Sequence, residues 1–120
     1  MDIKLNIWIH CRVTNESERC LLKYQKDKIL EFLDDMNVNV VGISQEVNAG
    51  RDSHSRALDS IRTHARRGDI DAVVVSDKTR LLASEERYQE FKLFCGMLHV
   101  QIIDLQETEN FLQNYILHIH

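Results

Sequence analysis

The run Ile70-Asp71-Ala72-Val73-Val74-Val75 constrains this chain more than any other stretch. An alanine and three valines in a row, without polar alternation, suit a strand covered on both faces, as in a parallel sheet. Parallel strands need long crossover connections, usually helices. The remainder of the chain supplies that alternation. Residues 3–9 read as a first strand, and Val38, Val40, Val41 and Ile43 make a second, rich in β-branched residues. Val100-Gln101-Ile102-Ile103-Asp104-Leu105 reads as a fourth strand. Between the strands, Leu22, Gln25, Ile29, Leu33 and Met36 recur at helical spacing and predict a helix over residues 17–36. Ser53 or Ser55 can cap the next helix, whose inner face is Leu58, Ile61 and Ala65 and whose end is Gly68. Ser84 can open a third, with Glu85 and Glu86 favourable in its first turn and Tyr88, Phe91, Cys95 and Leu98 as its stripe. Residues 107–117 suit a last short helix. The expected fold is therefore α/β: three layers, α/β/α, around a mainly parallel sheet of four or five strands. Leu22, Ile29, Leu58, Ile61, Val74 and Ile102 should be buried.

With 120 residues the chain suffices for one domain with a proper core, expected to span residues 1–120. No apolar run is long enough to span a bilayer, and the start lacks a signal-peptide pattern. A cytoplasmic location without a membrane partner is expected. The three cysteines, Cys11, Cys20 and Cys95, read as reduced thiols rather than a disulfide framework. Cys11 beside Arg12 invites a lowered pKa, with a packed cysteine as the alternative. His118 and His120 stand at strand spacing, but two histidines fall short of the three or four ligands a metal site needs, so no metal is expected.

The net charge of −4 opposes strong nonspecific nucleic-acid binding by the domain as a whole. Its distribution is uneven. Residues 16–47 carry four basic and seven acidic side chains, and residues 81–120 carry two and six. Residues 51–80 carry seven basic and five acidic, the basic ones being Arg51, Arg56, Arg62, Arg66, Arg67, Lys78 and Arg80.

In an open α/β sheet, ligands bind beyond the carboxyl ends of the strands. The loops 10–16, 44–53 and 76–83 each follow an apolar strand and should converge there. With the start of the next helix they carry Arg12, Thr14, Arg51, Arg56, Asp77, Lys78, Thr79 and Arg80. Several fixed cations around a hydroxyl suit phosphodiester chemistry, in which the transferring phosphoryl group carries negative charge. An electropositive rim that binds anions without reacting fits the same residues equally well. A flavodoxin-like nucleotide-binding module is disfavoured, because the first loop lacks a glycine-rich phosphate cradle.

These pieces, in this order, resemble the catalytic domain of the serine recombinases, the resolvase/invertase family. That family ends its first strand in Tyr/Phe-x-Arg-Val-Ser and places a glutamine in the first helix; here stand His10-Cys11-Arg12-Val13-Thr14 and Gln25. Its Asp-x-x-Ser-Gly segment, followed by a helix-opening arginine, is matched by Glu46-Val47-Asn48-Ala49-Gly50 and Arg56. Its Gly-x-(Ile/Val)-Asp turn is matched by Gly68-Asp69-Ile70-Asp71, and its Asp/Ser-Arg-Leu-x-Arg signature by Asp77-Lys78-Thr79-Arg80-Leu81-Leu82-Ala83. The resemblance runs from Ile3 to Leu105. It implies a site-specific recombinase domain that cleaves and rejoins DNA through a covalent hydroxyl–phosphate intermediate, without metal or nucleotide cofactor. Thr14 would be the nucleophile and Arg12 and Arg80 its catalytic partners. Arg56, Arg51 and Lys78 would contact phosphate, and Gln25 and Thr79 would support the site. The implied partners are DNA, bound weakly by this domain alone, and further copies of the chain in a homodimer or higher homo-oligomer. No DNA-binding domain is read within the 120 residues. Three departures matter: Thr14 replaces serine, Ala49 replaces a serine, and Ala83 stands where a second signature arginine belongs. They suggest impaired chemistry, or, as the alternative, a non-catalytic accessory or regulatory relative acting through subunit contacts.

Overall fold

The structure is a computed structural model and describes residues 4–110. Its elements are β1 (Leu5–Val13), α1 (Cys20–Leu33), β2 (Val38–Val47), α2 (Arg56–Arg67), β3 (Ala72–Val75), α3 (Glu85–Met97) and β4 (Gln101–Asp104), with short 3-10 turns at Glu16–Glu18 and Lys78–Arg80. All strand pairings are parallel, in the order β2-β1-β3-β4. This is the expected three-layer α/β/α arrangement with four strands.

Each face of the sheet has its own core. On one face α2 and α3 bring Leu58, Ile61, Ala65, Tyr88, Phe91 and Cys95 onto Val73 and Val75. On the other, Leu22, Ile29 and Leu33 of α1 pack on Ile7, Ile9, Cys11, Val13 and Val74. Val73, Val74 and Val75 are wholly buried, as the apolar run requires. Ser55 caps α2 through the Leu58 N–H, and Gly68 ends the helix in the left-handed conformation. Ser84 caps α3 by accepting from the Arg87 N–H.

Four boundaries differ from the sequence reading. The first strand continues through Val13, so His10 to Val13 belong to the sheet and not to a loop. The cause is pairing: Cys11, Arg12 and Val13 stay in register with Gln45, Glu46 and Val47, and β2 is correspondingly longer than its apolar residues indicate. The helix expected over 17–36 is shorter, and Met36 lies beyond it, exposed. Asp34 and Asp35 follow at its carboxyl end, where negative charge opposes the helix dipole. The third strand begins at Ala72, because Ile70 and Asp71 form its approach. Ile102 is half-buried rather than buried because β4 is an edge strand. Residues 105–110 are helical; the rest of the helix expected over 107–117, and His118 and His120, lie outside the described residues.

Candidate active site

The site is built around Arg12, whose side chain enters the α/β interior with only 3% of its surface exposed. An unpaired buried guanidinium would be prohibitively costly, so its donors determine what surrounds it. Nε donates to the Arg80 carbonyl at 3.2 Å, Nη1 to the Asn48 carbonyl at 2.8 Å, and Nη2 to the Thr79 carbonyl at 2.5 Å. Nη1 also reaches Thr14 Oγ1 at 3.5 Å. Arg12 thus ties together the outlets of β1, β2 and β3. Gly50 makes this approach feasible: a Cβ there would meet Arg12 Cζ at 2.6 Å, and its backbone is left-handed with φ +71.

Gln25 grips the same residue from α1. Its Oε1 accepts from the Arg12 N–H at 3.1 Å and its Nε2 donates to the Arg12 carbonyl at 2.9 Å. That carbonyl also accepts from Arg80 Nη1 at 3.2 Å, and Arg80 Nε lies 3.4 Å from Asp77. Two arginines therefore sit side by side. Burial first, then the Arg80 charge, lowers the Arg12 pKa, against the pull of Glu46, Asp77 and Glu18; an arginine nonetheless stays charged. Thr14, the first residue past β1, is exposed, and its hydroxyl faces this paired charge. Asp77 accepts from the Thr79 N–H at 3.0 Å and from the Thr79 hydroxyl.

The structure thus joins Arg12, Thr14, Gln25, Thr79 and Arg80 in one network. Arg51 adjoins it through Gly50, its side chain exposed and its carbonyl bonded by Arg87. Arg56 opens α2, is exposed, and has no ion-pair partner among the described residues. It pairs with neither Asp52 nor Asp59; Asp59 pairs with Arg62 and His54 instead. Lys78 makes its contacts elsewhere: its ammonium is 2.9 Å from Glu85 and lies over the Tyr88 ring. Cys11 is not an activated thiol, since burial pushes its pKa up to about 11. No cluster of three or more metal-ligating side chains occurs among the described residues, and none of their helices is long and apolar enough to cross a membrane.

Sequence reasoning passed over a second cluster beside this one. His10, wholly buried, has Nδ1 2.7 Å from Ser44 Oγ and Nε2 3.4 Å from Glu46. Burial raises the Glu46 pKa, but its polar contacts with His10, Ser55 and Asn48 outweigh it and hold the carboxyl below its ordinary value. The available signal was alternation: Ser44 and Glu46 share one face of β2, with His10 on the same face of the neighbouring strand.

Residues 7–120 match the sequence model of the family described as Resolvase, N terminal domain, and the chain belongs to that family. Solved structures share the fold. The C-terminal catalytic domain of ISC1926 TnpA, an IS607-like serine recombinase, superposes with TM-score 0.78 at 17% identity, covering 93% of this chain and 80% of that one. The N-terminal catalytic domain of TP901-1 integrase gives 0.76 at 18% identity, covering 85% and 78%. A resolvase family site-specific recombinase from Streptococcus pneumoniae gives 0.74 at 16%, covering 87% and 74%. No match is found among curated protein sequences.

Proposed function

We propose that this domain is the strand-cleaving unit of a site-specific DNA recombinase, with Thr14 as nucleophile and a rate held low by its own site. The observation that carries the reading is the Thr14 hydroxyl beside the Arg12–Arg80 pair at the carboxyl end of β1. Thr14 Oγ1 attacks the phosphorus of a DNA phosphodiester, a protein–DNA phosphoester forms, and a deoxyribose hydroxyl leaves. The reverse attack by a DNA hydroxyl rejoins the strand and frees Thr14, so no bond energy is lost. The fixed charges favour the developing negative charge of the phosphoryl group.

Division of labour among the arginines follows from their donors. Three carbonyls and the Thr14 hydroxyl engage Arg12, leaving one Nη2 hydrogen for phosphate. Arg12 acts chiefly as a positioning charge, while Arg80, Arg51 and Arg56 are the candidates to touch DNA. Lys78 is assigned a phosphate contact only if it exchanges Glu85 for DNA. The same occupancy of Arg12, with the extra methyl on Thr14 restricting its rotamers and Ala83 lacking a guanidinium, favours a second reading. In it, the chain is a non-catalytic relative that binds DNA-bound copies of a recombinase through subunit contacts.

The test is incubation of the protein with labelled DNA carrying a nick that traps the covalent intermediate, followed by denaturing electrophoresis. Slow adduct formation that disappears in Thr14→Ala supports the enzyme. Absence of adduct, with retained assembly onto a recombinase complex, supports the accessory role. Adduct that persists in Thr14→Ala rules out Thr14 as the nucleophile.

A further inference from the structure

Thr14 is not the hydroxyl best placed beside a base. Thr14 Oγ1 contacts a guanidinium at 3.5 Å and no base. Ser44 Oγ lies 2.7 Å from His10 Nδ1, and the opposite nitrogen of that ring lies 3.4 Å from the Glu46 carboxylate. Trp8 Nε1 donates to the same serine oxygen at 2.9 Å. With one Ser44 lone pair engaged by the indole N–H, the serine can send its own hydrogen to His10 Nδ1. The neutral imidazole then carries its hydrogen on Nε2, toward Glu46. His10 is 0% exposed, and its Nε2 has no aligned hydrogen bond among the described residues, so Glu46 is its electrostatic partner.

The cluster opens onto a groove of about 330 Å³ lined by Trp8, Ser44, Glu46, Arg56, Ala57 and Ser60, among others. That volume suits a small organic molecule. The wall is rigid where it must be. Trp8 lies on Gly42, where a Cβ would meet its ring at 2.4 Å, and its ring centroid is 4.9 Å from that of His64. Arg56, which has no ion-pair partner among the described residues, brings its positive charge to the same groove.

We propose that Ser44, His10 and Glu46 form a proton relay that makes Ser44 a nucleophile toward small carboxylic esters. Ser44 Oγ bonds to the ester carbonyl carbon as its proton passes to His10 Nδ1, and Glu46 stabilises the resulting imidazolium. Arg56 stabilises the oxyanion. The carbon–oxygen bond to the alcohol breaks, and His10 returns its proton to the departing alkoxide. Water then attacks the acyl-serine, giving its proton to His10, which returns it to Ser44 Oγ as the acid leaves. The balance is ester plus water to acid plus alcohol. The proposal shares Arg56 with the DNA reading but does not rest on it, since neither Thr14 nor a phosphodiester takes part.

The experiment treats the folded full chain with a fluorophosphonate probe, which traps activated serines, and maps the label by peptide mass spectrometry. Hydrolysis of 4-nitrophenyl acetate is followed in parallel. The expected result is a label on Ser44, absent in Ser44→Ala. His10→Gln, verified as folded by circular dichroism, should label roughly 100-fold or more slowly, the contribution of a general base. Should His10→Gln fail to fold, Glu46→Gln provides the second arm, with slower labelling expected. No label on Ser44, or a label that appears only after unfolding, would overturn the proposal. So would equal rates in wild type and the folded relay variant; the cluster would then serve only to satisfy buried polar groups.

Discussion

Replacing Gly50 with alanine separates the two things this glycine does. One is conformational: its φ is +71, and holding an L-residue there costs about 1–2 kcal/mol. The other is steric: the new Cβ would lie 2.6 Å from Arg12 Cζ, 2.8 Å from Nη2 and 2.9 Å from Nε. The guanidinium has little freedom to move, because three carbonyls and a hydroxyl fix it. Displacing it loses at least one hydrogen bond to a charged group, about 1.5–3 kcal/mol. The combined loss is about 2.5–5 kcal/mol. Gly68 is the matched control, with φ +75 and nothing within 4 Å of an added Cβ, so Gly68→Ala should lose only about 1–2 kcal/mol. Urea denaturation of the three proteins, with m-values checked for constancy, gives both differences. Gly50→Ala should be the less stable variant by about 1.5–3 kcal/mol, or about 6–12 °C in Tm. Equal losses in the two variants would refute the fixed placement of Arg12 against the β2–α2 loop.

Further outcomes follow from the same geometry. Arg12→Lys should destabilise by about 3 kcal/mol or more by the same measurement, because an ammonium cannot reproduce the planar fork that reaches Asn48, Thr79 and Arg80. Ile29→Ala, in the α1 core, should lose about 2–5 kcal/mol without altering DNA adduct chemistry. Glu46 has its folded pKa held below the ordinary glutamate value of 4.5 by His10, Ser55 and Asn48 against the effect of burial. Its stabilisation is therefore complete above that value and lost as pH falls through the folded pKa. Urea midpoints measured downward from pH 7 should fall less steeply on the acid side in Glu46→Gln. Burial pushes the Cys11 and Cys95 thiols to about 11, while Cys20 is exposed. A thiol reagent at neutral pH should therefore modify Cys20 alone until the protein unfolds.

The layers of this fold were legible because burial leaves a periodic trace. The Val73–Val75 run, the Leu58–Ile61–Ala65 spacing and the Tyr88–Phe91–Cys95 stripe each identify a face that had to be covered. The convergence of Arg12, Thr14 and Arg80 was also legible, since it follows from strands that alternate with helices. What escaped was the end of β1. An arginine between Cys11 and Val13 reads as an exposed loop residue, because charge normally marks solvent. Here its charge is matched by backbone carbonyls from loops distant in sequence, and a sequence carries no direct sign of such carbonyls. The same reason hides the fate of Lys78, whose partner Glu85 lies seven positions along on another element. The Ser44–His10–Glu46 cluster escaped because its register depends on a bulge between Ile7 and Trp8 in the pairing of β1 with β2. Without that extra residue, Ser44 would turn to the opposite face.

We propose that this site performs resolvase-type chemistry slowed by the residues at positions 14 and 83. The most direct measurement is the single-turnover rate of covalent adduct formation on nicked DNA. The domain is tethered to a sequence-specific DNA-binding module to remove differences in affinity. Wild type is compared with the double variant Thr14→Ser/Ala83→Arg. A restored transition-state arginine alone is worth roughly 10³-fold, so the double variant should form adduct at least about 10³-fold faster. Equal rates in the two proteins would contradict the account.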